Sequence, residues 1–194
     1  MKSDNFNTEI ARINDNTIKE DTKYLLNNLP DYFFQIAASS TGKYHPSFSL
    51  GEKGLIRHVK VAEKIAEELF NDSVFSKNFT EHDKDLIRMA IILHDGLKKG
   101  KLESTYTCFN HPLLMANFIK EQSGNLKSSE ADIETVARLI RSHMGPWNID
   151  RFGNSLPVPE KEDEKFVHLC DYLASRNFLN VSFDKNEIID SARR

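Results

Sequence analysis

The stretch AIILHDGLKKG at residues 90–100 decides the fold that we expect. Its first four residues are apolar and spaced like the buried end of a helix, and the pair His94-Asp95 is followed by Gly96, a residue typical of helix C-termini. An imidazole and a carboxylate then lie at the inner end of a core helix. Such a buried carboxylate needs compensation, which a divalent metal can provide. The alternative is a helix end closed by a hydrogen-bonded His-Asp pair.

Further His and Asp residues recur in helical apolar patterns on both sides of this stretch. His58 lies in the apolar stripe of residues 54–70, His143 follows a periodic segment, and Asp171 lies among apolar residues of the last long helical pattern. A single histidine in such a stripe is more often a core residue than a ligand. Four such residues on successive predicted helices favour a shared metal site.

Composition limits the classes of function before any motif does. Lys plus Arg number 26 against 29 Asp plus Glu, so the net charge of −3 argues against a basic surface that coats nucleic acid. Cys108 and Cys170 are isolated, which predicts reduced thiols rather than a disulfide framework. No apolar run has the length of a membrane span, and the N-terminus lacks a signal-peptide core. We therefore expect a cytoplasmic protein without a membrane partner.

The remaining periodicity predicts an all-α bundle of six or more helices in one domain of 194 residues. Residues 1–15 are polar with three large apolar groups, which predicts an N-terminal tail or a docking helix. Residues 39–46 and 96–110 are rich in turn formers and polar side chains, so we expect loops there. Helices are predicted over residues 17–28, 54–70, 80–94, 113–122, 128–143 and 160–177.

This order of residues resembles the HD-domain metal-dependent phosphohydrolases over a core of about residues 43–177. The resemblance implies a helical bundle with two divalent ions of Mn, Fe, Ni, Co, Zn or Mg. In that pattern Asp95 bridges the two ions. Position 111 and position 143 are the weaker matches, because histidines are also common at helix ends for structural reasons. The implied metal ligands are His58, His94, Asp95, His111, His143 and Asp171.

Four segments are most similar to the HD domain of YhaM-type 3′-to-5′ exoribonucleases: residues 54–58, 91–98, 142–147 and 168–175. Lys98 stands where 5′-deoxynucleotidases have a catalytic Glu, and no Gly-Tyr-Pro follows as in HD-GYP enzymes. The chain differs from the exoribonucleases in having Ser142 before His143, where they usually have paired histidines. It also lacks a recognisable OB-fold segment, which favours small nucleotides over processive RNA degradation.

The resemblance implies metal-assisted hydrolysis of a phosphodiester or phosphate ester, with a nucleotide or short oligonucleotide as substrate. Asp95 and Lys98 are the predicted catalytic residues, Asp95 by orienting ions and water and Lys98 by stabilising charge on phosphate. Lys43, His45 and Trp147 are the predicted substrate-binding residues, with Trp147 placed to stack on a base. The alternatives are a mononuclear nucleotidase, a cyclic-nucleotide phosphodiesterase, or a non-catalytic HD domain that binds a nucleotide. The sequence does not predict an oligomeric state.

Overall fold

Helices account for nearly all regular structure in the computed structural model, which describes residues 1–39, 42 and 45–189. Within these residues the all-α prediction is confirmed, since the only sheet is a two-stranded antiparallel hairpin. No helix there is both long and apolar enough to cross a bilayer. The elements are α1 (Asn7–Ala11), α2 (Asn16–Asn27), α3 (Gly54–Asn71), α4 (Ser73–Ser76), α5 (Glu81–Leu93), α6 (His111–Glu121), α7 (Glu130–Arg141), α8 (Glu162–Ala174), β1 (Phe183–Asp184) and β2 (Glu187–Ile188).

Helix α5 is the central element, and its bounds follow from its sequence. It begins in a capping box, in which the Thr80 hydroxyl accepts from the Asp83 backbone N–H and the Asp83 carboxylate accepts from the Thr80 backbone N–H. The helix then continues through buried residues to Leu93, and it contacts α2, α3, α7 and α8. Because α5 crosses the core, residues 94 and 95 at its C-terminus are delivered to the interior.

Residues 2–11 form a 3-10 helix followed by α1, so this segment is a docking helix and not a tail. Phe6, Ile10 and Ile13 are all buried in the core. The segment is also tied by charge, because Arg12 pairs with the buried carboxylate of Glu63 on α3. Buried charges cost several kcal/mol unless they are paired, so these contacts fix the position of the segment.

Asp21 on α2 organises the turn that precedes α7. Its carboxylate is 3% exposed and accepts hydrogen bonds from the backbone N–H groups of Lys127 and Ser128 and from the Ser128 hydroxyl. Asp21→Ala leaves these donors without a partner. We expect the free energy of unfolding to fall by about 2–4 kcal/mol, measured by urea denaturation. Glu20→Ala, one residue earlier on the exposed side of α2, is the control and should unfold at nearly the wild-type urea concentration; equal midpoints for both variants would contradict the prediction.

Cys108 and Cys170 are free thiols, as predicted, and the thiol of Cys170 is buried. Burial raises its pKa well above the usual range, with the nearby Asp171 carboxylate adding to the effect. Cys170 is therefore an inert core residue at neutral pH.

Candidate metal centre

Five helices bring six His and Asp side chains to one point of the interior. Helix α3 contributes one histidine, the C-terminus of α5 a His-Asp pair, the first residue of α6 a second histidine, the turn after α7 a third, and α8 an aspartate. Five of the six are at most 2% exposed, and the aspartate of α8 has a side chain that is 21% exposed. The structure thus brings together all the predicted ligands: His58, His94, Asp95, His111, His143 and Asp171.

One half of the cluster centres on Asp171. Its Oδ1 lies 2.9 Å from Nε2 of His58 and 3.4 Å from Nε2 of His94. Nε2 of His94 also lies 3.5 Å from Oδ2 of Asp95. Two histidines and two carboxylates therefore surround a common volume.

The other half centres on Asp95. Its Oδ1 lies 3.0 Å from Nε2 of His111 and 3.9 Å from Nε2 of His143. The two histidine Nε2 atoms are themselves 3.3 Å apart. Asp95 thus belongs to both halves, since its second oxygen, Oδ2, faces His94.

Backbone carbonyl groups fix the orientation of three of the rings. In each case Nδ1 must be the protonated nitrogen, because a carbonyl oxygen can only accept a hydrogen bond. The Nε2 lone pair is then directed into the cluster, as is usual for metal-ligating histidines. The pairs are His94 with Ile91 (2.7 Å), His111 with Cys108 (2.8 Å) and His143 with Ile140 (2.7 Å).

These residues fit a divalent metal. Nε2 of His94 and Oδ1 of Asp95 are buried and have no hydrogen-bond partner within the described part of the chain. The facing lone pairs of His111 and His143 likewise need a cation or a proton between them. Two ligands that share one ion at about 2.1 Å lie roughly 3.0–3.4 Å apart, close to the separations seen here. Imidazole nitrogen and carboxylate oxygen are together suited to first-row divalent metals.

The electrostatics of the cluster keep both carboxylates ionised. Burial alone would raise the pKa of Asp95, but Lys98, His94 and His111 outweigh it and hold the pKa well below the usual range. Asp171 behaves in the same way, through its contacts with His58 and His94. The site therefore presents two negative charges to a ligand at neutral pH.

Two histidines of the cluster have pKa values that are shifted in opposite directions. Burial, together with the neighbouring His94, lowers the pKa of His143 to about 3, so this ring is neutral. Burial also acts to lower the pKa of His94, but Asp95 and Asp171 outweigh it and raise that pKa. A metal that binds His94 therefore competes with a proton for Nε2.

Lys98 is not a solvated loop residue. Its Nζ donates to Oδ2 of Asp95, and its side chain is only 13% exposed. The residue lies in the turn that follows α5, where its backbone N–H donates to the Asp95 carbonyl at 3.0 Å. The ammonium group therefore holds one carboxylate oxygen of the cluster in place.

A cavity of about 600 Å³ opens above the cluster. His45 and Trp147, both predicted to bind substrate, line its walls together with Lys98. Burial, then the neighbouring His58 and Lys98, lowers the pKa of His45 to about 4, and its buried Nδ1 has no hydrogen-bond partner among the described residues. Lys43 lies outside the described residues, so its predicted role stays a prediction.

Among the residues of the cavity wall that sequence reasoning missed, three lie close together near the end of α8: Tyr172, Ser175 and Arg176. They follow Asp171 by one, four and five positions at the end of α8. Residues four positions apart lie on one helix face. Once Asp171 is identified as a metal ligand, this spacing is a signal that would have predicted Ser175 near the site. Whether Tyr172 and Arg176 line the cavity depends on where the loop after α7 lies, and the spacing of residues does not reveal that.

Gly145 supports the cluster by allowing His168 to approach. Its φ is +58°, and an added Cβ would lie 2.2 Å from the ring of His168, whose Nδ1 donates to the His143 carbonyl at 2.7 Å. His168 thus supports the cluster through the His143 carbonyl. We expect Gly145→Ala to displace the turn that carries His143 and to weaken metal binding by about 10- to 100-fold, measured by calorimetry.

Gly153→Ala is the matched control. Gly153 also has a positive φ, +84°, but no atom lies within 4 Å of its added Cβ. Both substitutions therefore strain the backbone, and only Gly145→Ala disturbs the cluster. Equal metal affinities for the two variants would show that the contact with His168 has no role in metal binding.

This geometry defines a class of protein: a helical protein with a buried His/Asp cluster, suited to metal ions, beneath an open cavity. The family profile of the HD domain matches residues 55–176, well over half of the chain, and the protein belongs to the HD domain family. No curated protein and no solved structure matches the chain. Members of this family are generally metal-dependent phosphohydrolases, and the His/Asp cluster is present here.

Proposed function

We propose that this protein hydrolyses a phosphodiester or phosphate ester of a nucleotide or of a nucleic-acid end through a dinuclear metal site. The observation that carries the proposal is the position of Asp95. Its Oδ2 faces His94 in one half of the cluster, and its Oδ1 faces His111 and His143 in the other. A carboxylate placed between two such groups is a bridging ligand for two ions.

The ligand sets divide naturally between two sites. His58, His94, Asp95 and Asp171 would hold the first ion, and Asp95, His111 and His143 would hold the second; His143 also lies close enough to His94 and Asp171 to share an ion with them. Two bound divalent ions supply an activated water and neutralise charge on the phosphate oxygens.

The protein's own groups prepare the reaction. Lys98 fixes the orientation of the Asp95 carboxylate, and its ammonium charge faces the cavity where an anionic phosphate would enter. His45 is neutral at physiological pH because of its lowered pKa, so it can accept or donate a hydrogen bond to the substrate without charge repulsion from Lys98. The buried floor excludes bulk water, which strengthens these interactions.

Small nucleotides, cyclic ones included, are the second candidate substrate class. The cavity volume of about 600 Å³ lies within the range that binds single small ligands. The resemblance to exoribonuclease HD domains supports the other substrate class, the end of a nucleic acid. This support comes from the similar sequence segments alone. Assays with mononucleotides, cyclic nucleotides and single-stranded oligonucleotides, run in parallel, separate these classes.

Hydrolysis of bis(p-nitrophenyl) phosphate with each of the six candidate metals tests the proposed reaction. We expect metal-dependent release of p-nitrophenol by the wild type and at least a ten-fold loss in His111→Ala, since that variant lacks one ligand of the second ion. His82→Ala is the control, because His82 pairs with Asp132 at the surface, away from the cavity. Absence of hydrolysis of this diester and of all nucleotides with every metal would overturn the proposal and favour a non-catalytic HD domain.

A further inference from the structure

Three side chains form a compact group on one wall of the cavity, termed here the aromatic shelf: Trp147, Tyr172 and Arg176. The rings of Trp147 and Tyr172 are nearly parallel, with centroids 5.4 Å apart and an interplanar angle of 16°. The guanidinium of Arg176 lies 4.2 Å from the Tyr172 ring and 5.7 Å from the Trp147 ring. Arg176 therefore lies close to both rings.

The shelf is held in place before any ligand arrives. Arg176 donates from Nε to the Tyr172 carbonyl at 3.1 Å and from Nη2 to the Ser175 hydroxyl at 2.7 Å. The ring of His168, itself bonded to the His143 carbonyl, lies 6.2 Å from Trp147 and 6.0 Å from Tyr172. Preorganised aromatic groups lose little conformational entropy on binding, so the shelf is suited to a planar ligand.

The shelf retains binding capacity. Trp147 is 50% exposed although it lines the cavity, and an exposed indole face can stack with an aromatic ring. Arg176 has no carboxylate partner within the residues that the structure describes, so its charge remains available. Both features favour a planar, anionic ligand over an apolar one.

The shelf is also joined directly to the metal centre. Tyr172 is the neighbour of Asp171, and Trp147 follows His143 by four residues in the same turn. A ligand bound across both regions therefore spans a short, fixed distance between a stacking surface and a phosphate site.

We infer that the aromatic shelf binds the base of a nucleotide, with Trp147 as the stacking surface and Arg176 as the group that positions it, and that it selects nucleotides over base-free phosphate esters. This inference rests on the proposed function, because the phosphate is taken to lie at the metal centre. Stacking of one base on an aromatic side chain corresponds to about a 5- to 150-fold gain in affinity.

Tryptophan fluorescence gives a direct test, because Trp147 is the only tryptophan of the chain. Magnesium-loaded protein would be titrated with AMP, GMP, CMP and UMP separately, and with ribose 5-phosphate as the base-free probe. We expect at least one nucleotide to quench the emission and to bind at least five-fold more tightly than ribose 5-phosphate. Failure of all four nucleotides to exceed ribose 5-phosphate would overturn the inference.

Variants assign the effect to the shelf. By calorimetry, Trp147→Ala and Arg176→Gln should weaken nucleotide binding more than they weaken binding of ribose 5-phosphate, so that the preference for nucleotides is lost. Phe152→Ala is the matched control, since Phe152 lies under Arg151 in the same loop, is 73% exposed and does not line the cavity. An unchanged preference in Trp147→Ala would also overturn the inference.

The two proposals fail in distinguishable ways. Hydrolysis of bis(p-nitrophenyl) phosphate without any preference for nucleotides leaves the proposed reaction intact and removes the role of the shelf. Preferential nucleotide binding without hydrolysis of any substrate would support base binding by the aromatic shelf. It would also contradict the proposed hydrolysis.

Discussion

Asp95→Asn should abolish hydrolysis, with a loss of about a thousand-fold or more in kcat, equivalent to roughly 4 kcal/mol of transition-state stabilisation. The amide keeps the shape of the side chain but removes its negative charge and one acceptor oxygen. Both oxygens of Asp95 face histidine nitrogens of the cluster, so neither ligand set is complete without them. The measurement is steady-state hydrolysis of bis(p-nitrophenyl) phosphate with added manganese.

Asp31→Asn provides the control for this substitution. Asp31 is also an ion-paired aspartate, but its side chain is 77% exposed and its partner is Lys2 at the surface. Circular dichroism of both variants verifies that the helices are intact. Retention of one tenth or more of the wild-type rate in Asp95→Asn would contradict the role of this carboxylate as a bridging ligand.

Divalent metal should raise the melting temperature by about 5–10 °C over the chelated protein. An ion present at 100 times its Kd stabilises the folded state by about 2.7 kcal/mol, and each kcal/mol corresponds to about 2–4 °C for a chain of this size. The physical reason is that the ion neutralises two buried carboxylates and gives partners to Nε2 of His94 and Oδ1 of Asp95. The measurement is thermal unfolding followed by circular dichroism.

The increase in melting temperature caused by the metal should depend on pH, and its direction can be stated. The pKa of His94 is raised, chiefly because Asp95 and Asp171 outweigh the effect of burial, so a proton competes more strongly with the metal for that ring as the pH falls. The shift should therefore be larger at pH 8 than at pH 6. Sodium chloride at matched ionic strength is the control, and equal melting temperatures with and without divalent metal at pH 8 would contradict the account.

Helical periodicity predicted the fold because most of the chain's apolar residues follow it. The helix that ends at His94 was predicted from its capping residue Thr80 through its apolar positions. The role of residues 1–15 stayed open, because three apolar side chains in a polar segment do not show whether a partner surface exists. The hairpin was not predicted, since strands of two residues are too short for an alternating pattern.

The metal-binding residue types were predictable for a similar reason. His58 and Asp171 interrupt apolar stripes, so the sequence places them toward the core, and the family resemblance supplied the set to which they belong. The contact between Lys98 and Asp95 and the aromatic shelf depend on tertiary structure. Trp147 stacks on Tyr172 after a turn in which Gly145 has a positive φ, and the spacing of residues in the sequence does not reveal such a turn.

Metal content per chain, measured by elemental analysis on the wild type and on His111→Ala, tests the dinuclear centre most directly. We expect two divalent ions per wild-type chain, falling to one in the variant, because His111 belongs to only one of the two proposed ligand sets and lies in a single His/Asp group. His82→Ala, the surface control, should keep both ions. One ion per wild-type chain that is unaffected by His111→Ala would contradict the dinuclear centre and leave His111 and His143 with a structural role.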